Sequence, residues 1–154
     1  MKPRAIDLDE LHGIDTIMRR VAIVRFAELL THAPALRRAR ANEIHTLRIA
    51  CKRLRFALER FSAFEPSLHE AAIRLTQLQD TLGDVHDRDV LLALLPRTAR
   101  NTAHRLEVQR EDALARGRAL WHDAFAPFGP FEGLMRFTGL GYGVGEALGG
   151  TTVV

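Results

Sequence analysis

Residues 45–55 read HTLRIACKRLR, and the spacing within this stretch decides how the chain folds. On a helix turning about 100° per residue, His45, Arg48, Lys52 and Arg55 share an arc of about 80°. Leu47, Cys51, Leu54, Leu58 and Phe61 fall on a separate arc. One helix must therefore bury an apolar stripe against other helices and carry a column of cations beside it. At ~1.5 Å of rise per residue the cationic heads spread over roughly 15 Å, a geometry suited to an elongated polyanion rather than one compact anion.

The flanking sequence supplies the helical partners. Upstream, residues 14–31 read as a helix with Asp15 as N-cap and Ile17, Val21, Val24 and Leu29 or Leu30 on its core side. HAPALRRARAN (32–42) interrupts it, with Pro34 as the breaker. Glu43 then sits in the first turn of the basic helix, where a carboxylate meets the positive end of the helix dipole. That helix is expected to run to about Ala63. Ser67 and Glu70 form an S-x-x-E capping box for the next helix, which carries Leu75, Leu78, Leu82 and Val85. Gly83 is expected to interrupt or cap it, with Asp84 and Asp87 opening another helix bearing Val90, Leu91, Leu94 and Leu95. A longer helix is expected from Ala99 to Phe125, with Leu106, Leu114, Ala119 and Trp121 buried. No segment has the alternation of a strand. The fold class is all-α: a small antiparallel bundle of about four to five helices.

Beyond Pro127 the composition changes, since eight of the eleven glycines lie at or after Gly129. The expected organisation is a bundle over residues 1–127 and a flexible Gly-rich tail over 128–154. The G-x-G-x-G run of Gly139–Gly145 is not a nucleotide loop, because no strand precedes it and no Walker lysine follows.

A chain of 154 residues with 47% hydrophobic content builds one domain around one core. The net charge is only +3, yet residues 37–60 hold eight Lys or Arg against Glu43 and Glu59. That local +6 leaves the remainder at −3, so the positive charge is concentrated, as on an anion-binding face. The single cysteine, Cys51, lies on the apolar arc and excludes an intrachain disulfide and a cysteine zinc site. No secretory h-region and no membrane-length apolar run is present, so a cytoplasmic setting with no membrane association is expected.

IHTLRIACKRLRFALERF, followed by LTQLQDTLGDVHDRDVLLALL, closely resembles the CHAD family, the conserved histidine α-helical domains. The resemblance rests on His45, Arg48, Lys52, Arg53 and Arg55 in one helix. The Leu75–Gly83 segment and the Asp87-bearing turn add to it, and together they cover roughly residues 43–95. It implies an all-helical fold, binding of inorganic polyphosphate and targeting to polyphosphate granules. A triphosphate-tunnel or polyphosphate-metabolising enzyme is an implied partner. Arg53 enters the implied site through the motif, since its helical angle points away from the column. Family members usually carry two copies of the unit. Only one copy is evident here, resembling the C-terminal one, so half of the two-bundle architecture is expected. A symmetric homodimer would restore two facing basic helices.

These residue types suit a phosphate polymer. Arginine grips two phosphate oxygens with a planar fork, lysine adds a point charge and histidine donates a hydrogen bond. Like charges at i,i+4, such as Arg48 and Lys52, cost a few tenths of a kcal/mol, which a chain selected for folding alone would avoid. Arg37, Arg38, Arg40, His86 and Arg88 are secondary anion-binding candidates, His86 and Arg88 because they flank an expected helix start. The seven histidines are too scattered for a metal site, and neither a cofactor nor a catalytic constellation is expected. The competing readings are a nucleic-acid backbone binder and a metal-binding accessory domain.

Overall fold

The computed structural model describes residues 1–144. Among them are no strands, four long helices and two short ones. The long helices are α1 (Ile14–His32), α3 (Ala41–Phe61), α4 (His69–Leu94) and α5 (Arg100–Ala124). The short ones are α2 (Ala35–Arg38) and α6 (Glu132–Thr138). The long helices run up, down, up and down, with α3 packed on α1 and α4, and α4 packed also on α5. The all-α antiparallel bundle is as the sequence implies.

The core is continuous from α1 to α6. In α3, Ile44, Leu47, Cys51, Leu54 and Leu58 are fully buried, the expected stripe with Ile44 added at one end and Phe61 only half-buried at the other. In α4 the row is Leu75, Leu78, Leu82 and Val85, as expected. Helix α1 differs. Its buried row is Met18, Ala22, Phe26 and Leu29, while Ile17, Val21 and Val24 are half-buried. The rotation brings Phe26, the bulkiest apolar side chain of the helix, to the centre, where it stacks on Phe125 and meets Phe131 edge-on. Asp15 lies in the first turn and does not cap, the N-cap position being Gly13.

Three further expectations are corrected. First, Ser67 and Glu70 form no capping box. Pro66 draws residues 66–68 into a 3₁₀ turn, Leu68 drops into the core, and the Glu65 carboxylate accepts from the Ser67 hydroxyl at 2.6 Å. Second, Gly83 neither caps nor interrupts. Helix α4 continues through Gly83, Asp84 and Asp87 to Leu94, because Leu82 and Val85 on either side of the glycine keep the buried row unbroken. Third, the bundle does not end at Pro127. Phe131 and Leu134 are fully buried, and α6 lies so close to the 3₁₀ turn that a Cβ at Gly133 would fall 2.0 Å from the Ser67 carbonyl oxygen. Only glycine admits that approach. The rest of the expected tail, residues 145–154, lies outside the described residues. In α5, Leu114 and Trp121 are buried as expected, but Leu106 is half-buried and Ala119 exposed, their places taken by Ala113, Gly117 and Ala124.

Candidate anion-binding groove

The apolar stripe of α3 fixes the rotation of the helix, and that rotation turns His45, Arg48, Lys52 and Arg55 toward α4. Two contacts give the register. The rings of His45 and His86 lie 4.9 Å apart, tilted by 37°. The Arg48 guanidinium lies over Gly83, where an added Cβ would sit 3.3 Å from Arg48 Nε. Continuing this antiparallel register brings Gln79 level with Lys52 and Thr76 level with Arg55. The α3 cations thus run beside Thr76, Gln79, Gly83 and His86 of α4 in register, and the furrow between the two helices is the candidate groove.

The α3 wall is short of counter-charges. Among the described residues, His45, Arg48 and Lys52 form no ion pair, and Arg55 reaches only Glu59, at 3.2 Å. That carboxylate is 43% exposed, so solvent screens the pair and little of the positive potential is cancelled. Lys52 and Arg55 both lie over the half-exposed Phe56 ring, at 5.6 and 4.7 Å from its centroid. Such cation–π contacts are worth about 0.5–1 kcal/mol at exposed sites. His45 Nδ1, Arg48 Nε, Arg55 Nε and Gln79 Oε1 are all shielded and have no hydrogen-bond partner among the described residues. Four unsatisfied polar atoms along one groove are unusual, because each costs stability that a folded protein ordinarily recovers. On α4, the exposed Asp80 and Asp87 form no ion pair among the described residues.

The remaining sequence candidates divide. His86 joins the groove through His45. Arg53 does not. It faces α1 and donates to the buried Glu28 carboxylate at 2.8 Å and to the Met1 carbonyl. Arg25 grips the other Glu28 oxygen at 2.9 Å. Burial alone would raise the Glu28 pKa, but the two guanidiniums outweigh it and hold the carboxyl below its ordinary value. Arg38 and Arg40 both lean on Glu43, at 3.7 and 3.6 Å, at the start of α3. Arg37 lines a separate cleft against Arg118, Trp121 and His122 of α5. Arg88 reaches back along α4 to Asp84, which also meets Arg116 of α5. None of these four extends the row. Cys51 is fully buried behind it, and burial pushes its thiol up to about 12 against a weaker opposing pull from Arg48. It is a core residue and stays protonated.

Sequence reasoning missed the α4 wall. Gln79 and Thr76 carry no charge, and Gly83 reads as a helix breaker, so only the register shows that they face the cations. Among the described residues no cluster of three or more His, Cys, Asp or Glu could hold a metal ion. No helix among them is long and apolar enough to cross a membrane.

Comparison with curated proteins and with solved structures returns no match. The CHAD domain family model matches residues 8–96, which takes in α1 to α4 and both walls of the groove. That span is more than half of the chain, and the chain belongs to the CHAD domain family.

Proposed function

We propose that the α3–α4 groove binds inorganic polyphosphate and catalyses no reaction on it. CHAD domains are in general associated with polyphosphate binding and are in general binding modules rather than catalysts. For this chain the reading rests on one observation above all: His45, Arg48 and Lys52 rise one helical turn at a time along α3 without a carboxylate partner among the described residues. A polymer of phosphates offers an acceptor at every level of that ladder. Arg48 and Arg55 can each bracket two oxygens, Lys52 supplies a point charge, and the His45–His86 pair can donate at the upper end. Nothing in the groove orients a nucleophile or a general base toward a phosphorus atom, so the chemistry it supports is holding. Granule association follows from the same binding, and recruitment of a triphosphate-tunnel or polyphosphate-metabolising enzyme would follow from sharing the polymer.

The test is R48E/K52E, measured by titration with polyphosphate of defined length. The double variant should lose binding by about a hundredfold or more, with helical content unchanged, since two attractive contacts become repulsive. Unchanged affinity would remove the site. Competition with duplex DNA at equal phosphate concentration and fixed salt separates the nearest rival, because displacement by DNA would move the reading to a nucleic-acid backbone binder.

A further inference from the structure

A glycine in the middle of a 26-residue helix is a cost. Gly83 has helical backbone, lies between buried Leu82 and Val85, and is neither cap nor kink. It has no need of a left-handed conformation either, in contrast to Gly13 or Gly139. Alanine would favour the helix at this position. The surroundings account for the glycine in one way only. The three heavy atoms nearest to a Cβ added there all belong to one side chain, with Arg48 Nε at 3.3 Å, Nη2 at 3.7 Å and Cζ at 3.9 Å. No atom of α4's other neighbours is as close.

We infer that Gly83 is a positioning residue for anion binding, its missing side chain letting the Arg48 guanidinium lie flat across α4 and aim along the groove. This rests on the polyphosphate reading and deepens it. Placed against bare helix, the guanidinium lies low between the walls, level with the row formed by Lys52 and Arg55, and the polymer tracks the groove rather than the crest of α3. A methyl at position 83 leaves 3.3 Å to Nε, tighter than ordinary contact, so the arginine must give by a few tenths of an ångström. A longer side chain fills the floor and swings it toward solvent.

The experiment is a double-mutant cycle on the full chain, with Gly83→Ala, Arg48→Ala and the pair, reading polyphosphate affinity and thermal midpoint together. Gly83→Ala should weaken binding several-fold while the midpoint holds or rises, because the helix gains and only Arg48 is disturbed. Gly83→Leu should weaken it about tenfold or more, equivalent to about 1.4 kcal/mol. In the Arg48→Ala background the cost of Gly83→Ala should vanish, since the methyl then meets nothing. A purely structural glycine would lower affinity and midpoint together and would keep its cost without Arg48. Either result overturns the inference, as does a Gly83→Leu variant that binds like the parent. If the parent chain itself fails to bind polyphosphate, the functional reading falls and the inference with it, whereas parent binding with an indifferent Gly83→Leu removes the inference alone.

Discussion

At the scale of single residues, adjacent letters of one motif do opposite work. In Lys52–Arg53–Leu54–Arg55, the lysine has no ion pair among the described residues, the leucine is core, the last arginine lines the groove, and Arg53 turns back to clamp Glu28. The helical angle separated Arg53 from the row in advance. Its partner was not legible, because a carboxylate 25 residues upstream on another helix leaves no local signal. The division of labour is measurable. Arg53→Ala should lower stability by about 1–3 kcal/mol, the cost of leaving a buried charge short of a charged hydrogen bond, and should leave polyphosphate affinity per folded molecule unchanged. Thermal unfolding and titration check the two halves. The same clamp governs acid stability. Glu28 titrates lower in the folded chain than the ordinary 4.5 of its unfolded state. Its contribution is therefore complete above that value and drains away as the pH falls through the folded one. Arg53→Ala should flatten this acid limb below the ordinary 4.5, and an acid limb identical to the parent's would show that Arg25 alone holds the carboxylate.

At the scale of elements, the sequence revealed which segments are helical more faithfully than how they begin, rotate and end. The stripes of α3 and α4 were legible because leucines repeat at helical spacing with few competitors. The stripe of α1 was misjudged because apolar residues surround that helix almost completely, and only the aromatic cluster of Phe26, Phe125 and Phe131 selects one face. The capping box at Ser67 failed because Pro66 and the Glu65 side chain had already claimed the turn. Helix α6 escaped notice because glycines flank it. Glycine there serves close packing as well as bending, as Gly133 against Ser67 shows. A prediction belongs to this element. A chain ending at Pro127 loses Phe131, Leu134 and Met135 from the core and uncovers Phe26 and Phe125. At about 1.5–3 kcal/mol per fully buried large side chain, the loss is several kcal/mol. The midpoint should fall by about 10 °C or more relative to a chain ending at Val144. Equal midpoints would mean that α6 is an ornament on the bundle rather than part of it.

At the scale of the whole molecule, the decisive quantity is how few of the clustered cations are free. Of the eight between residues 37 and 60, Arg38 and Arg40 share Glu43, Arg53 holds Glu28, and Arg55 meets Glu59. The groove therefore offers a polymer two unpaired cations, Arg48 and Lys52, a third, Arg55, whose pair with the exposed Glu59 solvent screens, and a histidine pair, on one wall, over roughly 15 Å. By analogy with single-stranded nucleic acid, where each neutralised phosphate adds about −0.7 to the salt slope, one chain on a short polymer should give a log–log slope of about −2. The outer side of the row faces solvent, and a second copy could approach it only with a polyanion between the two rows, since bare rows repel. The free protein should therefore sediment as a monomer. A polymer much longer than one groove should gather two copies face to face, with a salt slope near twice the short-polymer value, because each added phosphate contact releases its own counterions. Velocity sedimentation with short and long polyphosphate across a salt series reads both quantities at once. A dimer without polymer would show that apolar contacts rather than shared phosphate join the copies. Equal slopes at both lengths would show that each groove binds alone.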